Sequence, residues 1–382
     1  MAVGDAVVMD VDGLDALVRL LGERGYETYG PVVRDGAIMP GPVSAVDDLP
    51  VGFHDEQGPG RYRLERRDDP EVFGWAVGPG SWKASFFPPL ETLWSADAPG
   101  GTVREPGPPR GEMAIIGARP CEIAALRVLD RVLKDGEVPD PRYTARRHNT
   151  FVMAAECGSP SASCFCTSMG TGPGIESDFD LALTELPGPD GYRYVVRVGT
   201  TRGSELLEHI PTTVADDEAL RERDHVLDGA RGDITRRLPA AEVATLLSRN
   251  LEHPRWDDVA GRCLSCGNCT LVCPTCFCSD VSDVLTLRGE VRRDRRWASC
   301  FDLDHSYLGG AHVRSSVSSR YRQWLTHKLS TWHVQFGTSG CVGCGRCISW
   351  CPVGIDITEE VAAIARSDNA LEKTSSSRHE EP

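Results

Sequence analysis

Eight cysteines repeat one spacing: Cys263, Cys266, Cys269 and Cys273 before Pro274, and Cys341, Cys344, Cys347 and Cys351 before Pro352. Each copy reads C-x2-C-x2-C-x3-C-P, in which a compact loop sets three thiolates on one 4Fe-4S cube and the fourth reaches a neighbouring cube. On that logic Cys263, Cys266, Cys269 and Cys351 hold one cluster, and Cys341, Cys344, Cys347 and Cys273 hold a second. Gly267 and Gly345 stand where the backbone must turn without a Cβ in the way. The competing chemistry is a pair of structural zinc sites, because C-x2-C pairs also make tetrahedral knuckles. Four cysteines at 2-2-3 spacing ahead of a proline, twice over, fit clusters better.

A further four cysteines, Cys121, Cys157, Cys164 and Cys166, precede these in a turn-rich stretch that includes Gly170, Thr171 and Gly172. One reading is a third 4Fe-4S cluster, whose sulfurs the glycine-loop amides approach. The other is a set of reduced, partly buried thiols, since cysteine is among the residues most often found in cores. Cys276, Cys278 and Cys300 remain. A cluster there would need a ligand such as His305 or Asp302, and the preferred reading is structural thiols lining the first cluster.

The elements that must position these thiols follow from periodicity. Leu14, Leu17, Val18 and Leu21 predict an opening helix that ends at Gly22 and Gly25. Residues 28–90 read as short strands and turns, with Arg61 to Leu64 and Phe73 to Val77 as strand segments. Within them Gly78 to Lys83 is a loop that either presents Lys83 to an anion or packs with its lysine exposed. After a Gly/Pro loop from Pro99 to Gly111, Met113 to Gly117 reads as a buried strand. Cys121 to Leu133 reads as a helix with Ile123, Leu126 and Leu129 inward and Val132 or Leu133 completing the face. Phe151 to Ala155 repeats the strand signal, so Cys121 and Cys157 fall just beyond the C-terminal ends of neighbouring strands, where α/β sheets place ligands. Asp180 to Leu186 and Tyr192 to Val198 predict a strand pair around a turn at Pro187 to Gly191.

Val243, Leu246, Leu247 and Leu251 predict a helix leading into the cluster region. Val313, Val317, Tyr321, Trp324, Leu325, Leu329, Trp332 and Phe336 predict a long amphipathic helix between the two motifs. Its other face is assigned Arg314, Arg320, Arg322, His327 and Lys328, either complementing cluster charge, docking a partner, or simply solvated. Asp356 to Glu359 has the form of a capping box. The fold class expected is α+β: an N-terminal α/β domain over residues 1–235, a C-terminal α-helical ferredoxin-type domain with two 4Fe-4S clusters over 236–366, and a disordered tail over 367–382.

At 382 residues with fifteen cysteines and a formal net charge of -15, the chain is too long for a bare ferredoxin and too acidic for a nucleic-acid binder. No run approaches the roughly 18 apolar residues of a membrane span, and the first residues carry no export signal. A soluble cytoplasmic protein with reduced thiols is expected.

Gly117 to Glu122, Cys164 to Pro173, both cluster loops and Thr338 to Thr358 together resemble the beta subunits of soluble NAD(P)-linked nickel-iron hydrogenases, also called sulfhydrogenases. The related A subunit of anaerobic sulfite reductase shares this plan. The resemblance implies an electron-transfer subunit, not catalytic alone, beside a flavin- and NAD(P)-binding subunit and the small and large nickel-iron hydrogenase subunits, or sulfite or sulfur reductase subunits in the alternative. The chain lacks the paired C-x-x-C motifs that would hold nickel, and no G-x-G-x-x-G follows a strand. A reading of a different class is a scaffold whose clusters are structural.

Overall fold

The computed structural model describes residues 1–97, 101–107, 111–188, 191–287 and 289–376. Parts of the expected Pro99 to Gly111 loop and Pro187 to Gly191 turn, and residues 377–382 of the expected tail, lie outside the described residues.

Strand β1 (Ala6–Asp10) leads through the helix Val11–Glu23 to β2 (Glu27–Arg34) and β3 (Ala37–Pro42). The hairpin β4 (Phe53–Gly58) and β5 (Arg61–Arg66) follows. Next come β6 (Leu90–Asp97), β7 (Val103–Arg104), β8 (Met113–Ala118), β9 (Thr150–Ala155), β10 (Leu181–Gly188), β11 (Gly191–Val198), β12 (Thr213–Val214), β13 (Ser279–Leu285) and β14 (Glu290–Trp297). Eight of them form one mixed sheet in the order β12-β1-β11-β10-β9-β8-β2-β3. Its centre is parallel, β2 to β8, β8 to β9 and β9 to β10. Strands β8 and β9 are apolar on both faces because both are covered. Ala114, Ile116, Phe151 and Met153 pack under the opening helix, whose Leu14, Leu17, Val18 and Leu21 are fully buried. Ile115, Val152 and Ala154 meet Ile123, Leu126 and Leu129 of the helix Pro120–Leu133 on the other side. Burying each such leucine contributes about 1.5–3 kcal/mol.

The C-terminal half is helical, with Ala240–Arg249, Arg255–Ala260, a rod from Val317 to Phe336 and Ile357–Ser376. Val243, Leu247, Trp256, Trp324, Leu325, Leu329, Ile357 and Val361 make its core. The rod starts at Val317 and contains one π turn, His327–Thr331. Leu251 and Val313, placed on apolar stripes by their spacing, are exposed because their helices end at Arg249 and begin at Val317. The last helix runs past position 367, where a tail was expected to begin, and reaches Ser376. Asp356 caps its start by accepting from the Thr358 amide at 2.9 Å.

Three further expectations are corrected. Phe73 to Val77 joins no ladder. Its backbone groups are taken by side chains instead: Glu185 accepts from the Val72 and Phe73 amides, Asp55 accepts from the Ala76 amide, and Arg119 donates to the Phe73 and Trp75 carbonyls. The segment between the two cysteine motifs contains β13 and β14, which pair with β6 and β7 in the order β13-β14-β6-β7. The two halves of the chain therefore share a sheet. Lys83 lies in a packed loop but is not exposed. It is 2% exposed, donates to the Cys276 carbonyl at 3.1 Å and lies 3.7 Å from the Trp297 ring centroid, so its charge is held by a carbonyl and a π face.

Candidate metal centres

The two cysteine loops share a backbone. Ser265 and Gly343, at equivalent positions, both have positive φ, as do Gly267 and Gly345. Each glycine opens one turn of helix, Asn268–Leu271 or Arg346–Ser349. In each loop the amide two residues past the first cysteine points at its sulfur, Ser265 N to Cys263 Sγ and Gly343 N to Cys341 Sγ, both at 3.4 Å. A side chain in the left-handed region costs about 1–2 kcal/mol. Ser265 accepts that cost with its hydroxyl held by Arg320 at 3.2–3.3 Å.

The fourth thiol of each loop lies toward the other loop. Cys351, with its neighbour Cys347, lines a partly open space of ≈ 430 Å³ together with Cys263, Cys266 and Cys269. Cys273 sits with the second loop: Lys328 Nζ donates to Cys273 Sγ at 3.2 Å and to the Gly340 carbonyl, next to Cys341, at 3.0 Å. Burial, and then the thiolates of Cys341, Cys344 and Cys273, hold the Cys347 thiol well above its ordinary range. Burial first, tempered by the Lys328 ammonium, pushes Cys341 up to about 12. Buried thiolates grouped this way are stable only beside a cation, and metal binding supplies one as the thiols lose their protons. The donor set therefore fits a thiolate-ligated metal group. Among the described residues no three cysteine, histidine, aspartate or glutamate side chains converge closely enough for a single ion.

The loops differ in their surroundings. Leu264, Cys266 and Leu271 of the first are exposed, whereas Val342, Gly343, Cys344, Gly345 and Arg346 of the second are buried against the N-terminal half. Arg346 donates to the carbonyls of Gly78 and Gly80 and to Glu122 Oε1 at 2.6 Å. The Gly343 carbonyl accepts from the Phe165 amide at 2.8 Å, and Thr171 donates to the Val342 carbonyl at 2.6 Å. A Cβ on Gly345 would stand 2.5 Å from the Ser163 carbonyl oxygen, whereas one on Gly267 would meet the Ser299 side chain, its hydroxyl at 3.0 Å and its Cβ at 3.3 Å. Gly345→Ala is therefore expected to lower the denaturation midpoint clearly more than Gly267→Ala, although both carry the same left-handed cost. Equal losses in the two variants would contradict this seating of the second loop.

Cys121, Cys157, Cys164 and Cys166 line one partly open space of ≈ 350 Å³, joined there by Cys344 of the second loop. Cys121 is in the first turn of the helix after β8, and Cys157 is two residues beyond β9. Phe165, the residue before the short helix Cys166–Met169, is turned into the C-terminal core while Cys164 and Cys166 line the cavity. Burial raises all four thiols. A Cβ on Gly172 would lie 3.2 Å from Cys166 Sγ, so the glycine lets the loop approach that sulfur.

None of Cys276, Cys278 and Cys300 lines the first cavity. Cys276 lies beside Lys328, with Nζ 3.6 Å from its Sγ. Burial and then the Cys278 thiolate push Cys300 up to about 12. Asp302 closes a turn by accepting from the Ser299 amide at 2.9 Å.

Sequence reasoning missed Arg346, Arg119 and the placement of Lys328. Arg119 donates to the carbonyls of Glu156, Phe73 and Trp75 from a position 1% exposed, tying the strand end that carries Cys157 to the loop before Lys83. Lys328 and Arg320, expected on an outer face, are buried. Lys328 stands seven residues after Tyr321 and four after Trp324, on the apolar stripe itself, and that spacing was legible. Burial works to discharge it, but the thiolates of Cys273, Cys276 and Cys341 outweigh burial and hold its pKa well above the ordinary lysine value.

Residues 262–355 match the family model described as a 4Fe-4S dicluster domain. The chain is 34% identical over 249 residues to the sulfhydrogenase 2 subunit beta of Pyrococcus furiosus, an alignment that covers 64% of this chain and 72% of the relative. Among the described residues no helix is long and apolar enough to cross a membrane.

Proposed function

Since the chain belongs to the family of sulfhydrogenase beta subunits, we propose that it is the iron-sulfur electron relay of a multi-subunit oxidoreductase, passing electrons between a flavin- and NAD(P)-binding subunit and the nickel-iron subunits of a hydrogenase. The observation that carries this reading is the crossover: Cys351 lines the cavity of the first loop, and Cys273 sits with the second. Cys263, Cys266, Cys269 and Cys351 hold the first 4Fe-4S cluster, and Cys341, Cys344, Cys347 and Cys273 hold the second. Such a cluster exchanges one electron at a time with a potential set by its hydrogen bonds, charge and exposure.

The protein's own groups do the rest. The Ser265 and Gly343 amides point at ligand sulfurs, the N-terminal half excludes water from the second loop, and the first loop, with Cys266 exposed, meets the surface. Cys121, Cys157, Cys164 and Cys166 hold a third cluster; Cys344, which belongs to the second loop and also lines that cavity, supports a third site beside the second.

Anaerobic reconstitution is expected to load at least about eight iron and eight sulfide. Cys351→Ser should damage the cluster of the first loop more than that of the second. Dithionite should produce paramagnetic signals that vanish on reoxidation. Zinc near two per chain without iron would sink the cluster assignment, and iron with no paramagnetic signal after reduction would leave a structural scaffold.

A further inference from the structure

We propose that Lys328 sets the second cluster of the relay to a higher reduction potential than the first, making that buried site the place where an electron rests within the pair. The inference deepens the relay reading and rests on it.

Lys328 is 5% exposed, in the π turn of the rod between the loops. Its ammonium donates to Cys273 Sγ at 3.2 Å, Thr275 Oγ1 at 3.2 Å, the Gly340 carbonyl at 3.0 Å and, at 3.6 Å, Cys276 Sγ. None of these partners is a carboxylate, so the anions its charge faces are cysteine sulfurs. Thr275 is itself fixed by donating to the Gly340 carbonyl at 2.6 Å, and it stands 3.1 Å from Cys273 Sγ.

The other cations near the two loops act differently. Arg346, beside Cys344, is neutralised by Glu122 at 2.6 Å. Arg320, near the first loop, addresses the Ser265 hydroxyl and the carbonyls of Arg314 and Ser315. Lys83 faces the Cys276 carbonyl and the Trp297 ring. Arg346 also hydrogen-bonds the Cys344 thiol, but with Glu122 as its carboxylate partner; among these cations, Lys328 is the one that donates to a cluster-set sulfur with no carboxylate beside it.

Reduction adds one electron to a cluster and neither makes nor breaks a bond. Its free energy is that of placing one more negative charge in the site, and in a low-dielectric interior a nearby cation favours the reduced form strongly. Hydrogen bonds to ligand sulfur act in the same direction. Neither effect has a counterpart of equal strength at the first loop, which is also more exposed.

The test is a paramagnetic-resonance redox titration of reconstituted full-length protein, wild type against Lys328→Met and Lys328→Gln. Of the two clusters held by the cysteine loops, the one with the higher potential should become at least tenfold harder to reduce in both variants, which is 59 mV for a one-electron couple, while the other keeps its potential; a shift confined to the lower-potential cluster would overturn the proposal. Lys328→Arg should stay close to wild type. Two unchanged potentials with full iron content would overturn the proposal. Loss of iron in both uncharged variants would overturn it too, marking Lys328 as a structural anchor. A wild type without two reducible clusters would instead sink the relay reading.

Discussion

Arg346→Met should destabilise the protein by about 3–5 kcal/mol, the loss seen when one partner of a buried ion pair is removed. Arg346 and Glu122 are 1% and 7% exposed at the side chain and meet at 2.6 Å, 224 positions apart in the chain. Without the guanidinium, Glu122 is left as a buried charge with only the Arg119 amide, at 3.1 Å, to satisfy it. The carbonyls of Gly78 and Gly80 lose their donor at the same time. The pair also joins the second cysteine loop to the helix that carries Cys121, so the loss should loosen that junction as well as lower global stability. Denaturant titration measures it. The Glu122→Gln, Arg346→Met double variant should lose less than the sum of the two single losses, because the partners are coupled. A loss below about 1 kcal/mol for Arg346→Met would mean that the ion pair does not hold the halves together.

Replacing Cys164 and Cys166 together by serine should remove about four of roughly twelve iron, leaving the two-loop clusters in place. Both side chains line the cavity with Cys121, Cys157 and Cys344, whereas Phe165 between them is fully buried in the C-terminal core. Serine preserves the size of each side chain and leaves Phe165 seated, so the fold should survive. Iron analysis and the reduced paramagnetic spectrum read the outcome in the full-length chain. This matters because an N-terminal fragment would lack Cys344 and the Arg346 side of the junction. Wild type and variant both holding about eight iron would make these four cysteines buried thiols and the cavity a packing feature.

Lys328 and Arg346 show where reading a chain by residue type misleads. A lysine on an amphipathic helix is ordinarily assigned to the wet face, yet Lys328 stands at helical spacing from Tyr321 and Trp324 and is buried with them. Its position was legible, but its acceptor was not, because Cys273 comes from a loop 55 positions earlier. Arg346 occupies the slot that Asn268 fills in the first loop, a difference visible in the repeat itself. What that difference accomplishes depends on Gly78, Gly80 and Glu122, which no local pattern connects to it.

The sequence by itself determined the local geometry: paired cysteine loops with their left-handed glycines, an opening helix buried along Leu14, Leu17, Val18 and Leu21, and apolar strands at Met113 and Phe151 followed by Cys121 and Cys157. These features depend on bond geometry and on periods of two and 3.6 residues, which act over a few positions and leave a mark at each. Only the tertiary structure decided which surfaces meet. It joined β14 to β6 across the two halves, gave the Phe73 to Val77 backbone to Arg119, Glu185 and Asp55 instead of a ladder, and buried one cysteine loop while leaving its twin at the surface. It also brought Cys344 into the cavity of the four earlier cysteines. Such pairings are selected by the complementarity of distant surfaces and by the need to satisfy every buried polar group, and neither is written at any single position in the chain.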